Sequence, residues 1–142
     1  MFRNWSVLCW NVRGLNSPAR QRDVRAKIEE SHCSIICLQE TKCENFDIRM
    51  IRSFCPECFD QFAFSPSVGA SGGILIIWNS SVFEGQLVEI QRFSVVVSFK
   101  SVHNSEKWTM VSVYGPCEGQ PRDDFVSWPY HLSIPSDENW ML

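Results

Sequence analysis

The chain has 142 residues, enough for one domain or part of one, and its 44% hydrophobic content suffices for a real core. A formal charge of −3 gives no global basic surface for nucleic acid, and the longest unbroken apolar run, residues 74–78, is far too short to span a bilayer. Seven cysteines at 9, 33, 37, 43, 55, 58 and 117, odd in number and irregular in spacing, argue against a secreted disulfide framework and for a reducing, intracellular setting with no disulfide partner.

Residues 5–12 (WSVLCWNV) read as a buried strand. Cys9 within it, like Cys37 further on, is expected to behave as a small hydrophobe. Gly14, Asn16 and Ser17-Pro18 make a turn, with Ser17 placed to cap a helix and Pro18 at its first position. That helix extends to about Glu30, burying Val24 and Ile28 and turning a charged face to solvent. Its Arg20, Arg22, Arg25 and Lys27 are interleaved with acids, so a solvated face is the simpler reading than a nucleic-acid contact. His32 falls at the helix end. Residues 34–38 (SIICL) form a second apolar strand, and the strand-helix-strand order favours parallel pairing with the first.

A short helix is expected over 46–54, ended near Pro56, and a strand over 60–64. Cys55-Pro56-Glu57-Cys58 invites a zinc reading, but no second matched pair exists and free thiols are expected. Residues 65–73 (SPSVGASGG) form a glycine- and serine-rich loop, whose Gly72-Gly73 permits a tight entry into a strand at 73–78. Strand-like runs follow at 83–90, 93–100 and 107–114. The last two alternate as a sheet with one buried face would. Gly115-Pro116 ends the series, 122–133 is a candidate helix bent at Pro129, and 139–142 reads as the opening of a further apolar strand, cut off. Residues 1–50 carry eight Lys and Arg against six Asp and Glu, whereas residues 51–142 carry five against ten. The N-terminal part therefore permits a local phosphate contact.

Two apolar runs end in groups able to serve a cation site, Asn11 in WNVRGL and Glu40 in CLQETK. Taken singly, such residues are ordinary: a strand-end Glu is usually solvated, an Asn usually sits in a turn, and a strand-end Tyr is often an amphipathic anchor. The ordered set is more specific. WNVRGL, a helix, CLQETK, SVGASGGILIIW and then VYGP resembles the endonuclease/exonuclease/phosphatase superfamily, and within it the apurinic-like endonuclease domain of plant non-LTR (LINE-type) retrotransposons.

That resemblance implies an α/β (α+β) fold, the N-terminal half of a four-layer sandwich with two packed mixed β-sheets flanked by helices. It implies a single truncated domain over 1–142. By resemblance, Glu40 is a metal ligand for Mg2+ or Mn2+, Asn11 hydrogen-bonds the metal site or its water, Tyr114 sits at the scissile phosphate, and Lys42 and Arg13 meet the DNA substrate. Arg13 stands where apurinic repair enzymes often carry an acid, which weakens the expectation of a second metal carboxylate there. The intact relative would nick DNA and leave a 3′-hydroxyl that primes reverse transcription, acting in the nucleus.

The resemblance also carries a departure. The family continues into a Gly-Asp-Phe-Asn motif and later a Ser-Asp-His motif. Neither occurs here, and His32, His103 and His131 match neither. The expectation is a remnant that is inactive alone. Alternatives are a non-catalytic relic, a weak nucleic-acid-binding chain, or a phosphatase or RNA nuclease of the same superfamily. Aggregation or partial disorder is expected of the isolated chain, through uncovered sheet faces and edges.

Overall fold

The computed structural model describes residues 6–69, 71–91 and 93–114, and the backbone of residues 139–141. The candidate helix at 122–133, and Cys117 and His131, lie outside the described residues. Chain order is β1 (Val7–Asn11), α1 (Pro18–Ser31), β2 (Ile35–Gln39), α2 (Ile48–Phe54), β3 (Gln61–Ser65), β4 (Ile74–Trp78), β5 (Phe83–Gln91), β6 (Ser94–Ser101), β7 (Lys107–Val113) and β8 (Asn139–Met141).

These strands make two mixed four-stranded sheets, ordered β1-β2-β4-β3 and β5-β6-β7-β8. In the first, β1 and β2 are parallel, as the strand-helix-strand order requires, while β4 runs antiparallel to both β2 and β3. In the second, β5, β6 and β7 are antiparallel neighbours, and β8 joins β7 in parallel. The α/β class and the two packed mixed sheets expected from the sequence are both present.

Local signals set the helix ends. Ser17 caps α1 by accepting from the Arg20 N–H at 3.1 Å, Pro18 opens it, and His32 closes it in the left-handed region with φ 51°. Asp47 caps α2 through the Met50 N–H at 2.8 Å. The charged face of α1 is a solvated one, with Arg20–Asp23 and Arg25–Glu29 pairs one turn apart. Arg25 also donates to the Arg52 carbonyl, fastening α1 to α2.

The unbroken apolar runs in β2 and β4 follow from burial on both faces. Ile36, Leu38, Leu75 and Ile77 point toward the helices and pack with Val24, Ile28, Ile51 and Phe54. Ile35, Cys37, Ile74, Ile76 and Trp78 point the other way and pack with Val95, Val97, Phe99, Trp108 and Met110 of the second sheet. Edge-to-face rings close that inter-sheet layer, Trp78–Phe99 at 5.3 Å and Phe83–Trp108 at 5.7 Å between centroids. The helices, first sheet and second sheet thus form three layers around two apolar cores.

Two expectations are corrected. β1 is not a buried strand: among the described residues it has a partner on one side only, its residues are half-buried or exposed, and Cys9 is exposed rather than a core hydrophobe. Nor do β6 and β7 have a single buried face. Val96 and Val111, on the side away from the first sheet, are as fully buried as Val95 and Val97.

Candidate functional site

The turns leaving β1 and β2 are zipped together backbone to backbone. The N–H groups of Val12, Gly14 and Leu15 donate to the carbonyls of Gln39, Glu40 and Thr41 at 3.0, 2.8 and 2.9 Å. The Asn16 amide adds a bond to the Lys42 carbonyl at 3.1 Å. On its other side the same segment is held by the glycine loop, with Thr41 and Lys42 N–H groups donating to Gly73 and Gly72 at 3.2 and 2.9 Å. Gly73 has φ 97°, and a side-chain carbon there would run into the Thr41 hydroxyl, so the residue is fixed as glycine by conformation and by space.

This sandwiching holds unusual backbone. Arg13, Glu40 and Lys42 all adopt left-handed φ values, 52°, 56° and 57°. Each costs about 1–3 kcal/mol in a non-glycine residue and persists only where surrounding bonds over-determine it. Three such residues at one rim, two flanking Thr41 and the third on the adjoining turn, mark a segment whose shape is set by something other than local preference.

The rim therefore carries Glu40 and Lys42 as an ion pair, Oε1 to Nζ 3.9 Å, with both groups partly exposed. Asn11 ends β1 opposite Gln39, and its side-chain oxygen accepts from the Arg13 N–H at 3.2 Å, so the amide shapes the turn that presents Arg13 to solvent. Tyr114 arrives from the second sheet. Its N–H is held by the Phe93 carbonyl at 2.9 Å, and its ring lies against Gly72, the residue that accepts from Lys42. Asn11 and Glu40 thus leave neighbouring strands at the same end, and Tyr114 reaches that end across the glycine loop.

Gln39 was not singled out by the sequence reading, yet it joins the two sheets here. Its Nε2 donates to the Val113 carbonyl at 2.7 Å and to the Ser112 hydroxyl at 3.3 Å. Gln39 immediately precedes Glu40 and Val113 immediately precedes Tyr114, so one side chain sets the spacing between both. The signal was present in the sequence: Gln39 shares the phase of Ile35 and Cys37 along β2, where an inward polar group needs a partner.

Glu40, with Asn11 at the next strand end, is a donor set of the kind a hard cation takes, but it supplies one carboxylate. Among the described residues no group of three or more His, Cys, Asp or Glu side chains is placed to hold a metal. Lys42 already pairs with the carboxylate. These residues do not by themselves fit a complete cation site, and no chemical step is assigned to a metal here. Cys55 and Cys58 take other roles. The Cys55 N–H closes α2, burial pushes its thiol up to about 12, and Cys58 is exposed.

Solved structures share this architecture. The AP endonuclease LMAP from Leishmania major is 19% identical with a TM-score of 0.57, over 89% of this chain and 44% of that one. The endonuclease domain of TRAS1, a telomere-specific non-LTR retrotransposon, is 14% identical with a TM-score of 0.64, over 91% and 54%. A mannosyl-6-phosphatase from Bacteroides thetaiotaomicron is 11% identical with a TM-score of 0.61, over 90% and 58%. At these identities the likeness is one of fold, and the chain spans about half the length of each. No curated protein matches the sequence. Among the described residues no helix is long and apolar enough to cross a membrane. Residues 8–137 match the model of the Endonuclease/Exonuclease/phosphatase family, and the chain belongs to that family.

Proposed function

We propose that residues 1–142 are the N-terminal portion of a phosphodiester-cleaving endonuclease domain of the non-LTR retrotransposon type, with DNA as substrate and the nucleus as its place of action. The observation that carries this reading is the meeting of strand ends at one rim, where Lys42, ion-paired with Glu40, and Tyr114 both contact Gly72. Enzymes of this family generally use divalent metals. Glu40 would hold Mg2+ or Mn2+, and Asn11 would hydrogen-bond the water on that ion. The Tyr114 phenol would donate to the scissile phosphate, and Arg13 and Lys42 would neutralise neighbouring phosphates.

Hydrolysis also needs a base within hydrogen-bond reach of the attacking water. The motifs that supply it in relatives have no counterpart in residues 1–142, so this chain alone is proposed to be inert. Incubation of the purified chain with supercoiled plasmid and Mg2+ is the test. Intact plasmid is the expected result, and robust nicking that disappears in Glu40→Ala would overturn the proposal of inactivity. Fluorescence anisotropy with a labelled duplex tests the substrate. Salt-sensitive binding, weakened by Arg13→Ala and Lys42→Ala alike, is expected; absence of binding at low salt would leave a relic without substrate contact.

A further inference from the structure

Cys9 and Cys37 face each other in exact register on the parallel strands β1 and β2. Neighbouring strands lie about 4.8 Å apart, inside the roughly 4.4–6.8 Å between α-carbons that a disulfide spans. Strand alternation puts both side chains on the same side of the sheet. Cys37 belongs to the inter-sheet core, and Val7, two residues before Cys9, packs against that core. The two thiols differ in access: Cys9 is exposed, and Cys37 is 1% exposed. Cys37 is further steadied by the Ser112 hydroxyl, 2.9 Å from its sulfur.

We propose that Cys9 and Cys37 are a cross-strand dithiol that a low-molecular-weight disulfide, such as oxidised glutathione, converts into an intramolecular disulfide. Cys9 is the attacking thiol and Cys37 the resolving one. The Cys9 thiolate attacks one sulfur of the oxidant, the oxidant's S–S bond breaks, and one small thiolate leaves and takes up a proton. Cys37 then attacks the Cys9 sulfur of the mixed disulfide, that disulfide's S–S bond breaks, and the Cys37 proton ends on the departing thiolate, which leaves as the second small thiol. Two protein thiols are oxidised and one disulfide is reduced to two thiols.

The electrostatics agree with this division. The neighbouring Cys37 thiol brings Cys9 down to about 7, and the same contact, together with burial, raises Cys37 well above the ordinary thiol value. The exposed sulfur is thus the one available as thiolate near neutrality, and the buried one stays protonated until a mixed disulfide stands beside it. The bridge would clamp β1 to β2 just ahead of Asn11 and Glu40. The inference does not depend on the phosphodiesterase reading, since it uses only the strand register and the two exposures.

The test is brief exposure of the reduced, full chain to oxidised glutathione, quenching with N-ethylmaleimide, and intact-mass and non-reduced peptide mapping. The expected product has lost two hydrogens and carries a Cys9–Cys37 link. In Cys37→Ser the reaction should stop at a glutathione adduct on Cys9, and in Cys9→Ala both the adduct and the link should vanish at these positions. Cys58→Ser removes the other exposed described thiol and should leave the link intact. In urea the selectivity for this pair should be lost. A link mapped elsewhere, with Cys9 and Cys37 both outside any disulfide, would overturn the proposal, as would the same preference for this pair in urea.

Discussion

β1 and β2 run side by side, each ends in one of the two motifs, and each is followed by a backbone turn in the left-handed region, yet their surroundings are opposite. β2 has partners on both sides, and four of its five residues are buried. β1 has one partner among the described residues and no fully buried residue. Their compositions are alike, VLCWN against IICLQ. The contrast teaches that the burial of a strand is a property of its neighbours in the sheet, and that the rim of the site is anchored mainly through β2.

The widest difference is expected in the apolar residues facing the helices. Leu38→Ala should cost about 3 kcal/mol, because its pocket is closed all round, whereas Leu8→Ala at the edge should cost about 1 kcal/mol. Urea denaturation measures both, and equal costs would break the comparison. Next come Gly14, in the turn after β1, and Gly73, in the loop that holds the turn after β2. Gly14→Ala and Gly73→Ala both force a side chain into a positive φ, at about 1–3 kcal/mol, but only at Gly73 does the added carbon also collide with Thr41. Gly73→Ala should therefore lower the thermal midpoint more than Gly14→Ala.

The polar residues ending each strand form a third pair. Gln39→Leu strips the Val113 carbonyl of its partner and should cost about 1–2 kcal/mol, while Asn11→Ala loses one exposed turn bond and should cost less than about 1 kcal/mol. Hydrogen exchange sharpens this, since opening at Tyr114 should rise in Gln39→Leu and stay unchanged in Asn11→Ala. The smallest effect separates the thiols. Alkylation of Cys9 should accelerate as pH rises through about 7, where the lowered thiol ionises, while Cys37 should react only on unfolding. Because the Cys37 thiol is the main cause of the lowering, Cys37→Ser should move that transition upward.

Much of the first half was legible from local chemistry. Ser17-Pro18 announced α1 because a hydroxyl cap and a proline lacking N–H suit a helix start in any context. The strand-helix-strand order announced parallel pairing because a right-handed crossover leaves little choice. The double-sided burial of β6 and β7 and the edge position of β1 were not legible, since both depend on which strand lands beside which. Glu40 could be named from its motif, but its pairing with Lys42, the role of Asn11 in a turn and the reach of Gln39 into the second sheet could not.

The sequence by itself determined the helix caps, the strand phases, the glycine positions and the family pattern, because each is written in residues close together along the chain. Only the tertiary structure decided that Cys9 lies open while Cys37 is sealed, that Gln39 spans two sheets, and that Tyr114 comes to rest against Gly72. Those facts join residues up to 75 positions apart, as between Cys37 and Ser112, and are set by sheet order and packing. Periodicity fixes which side of a strand a residue takes; what waits on that side is chosen by the rest of the fold.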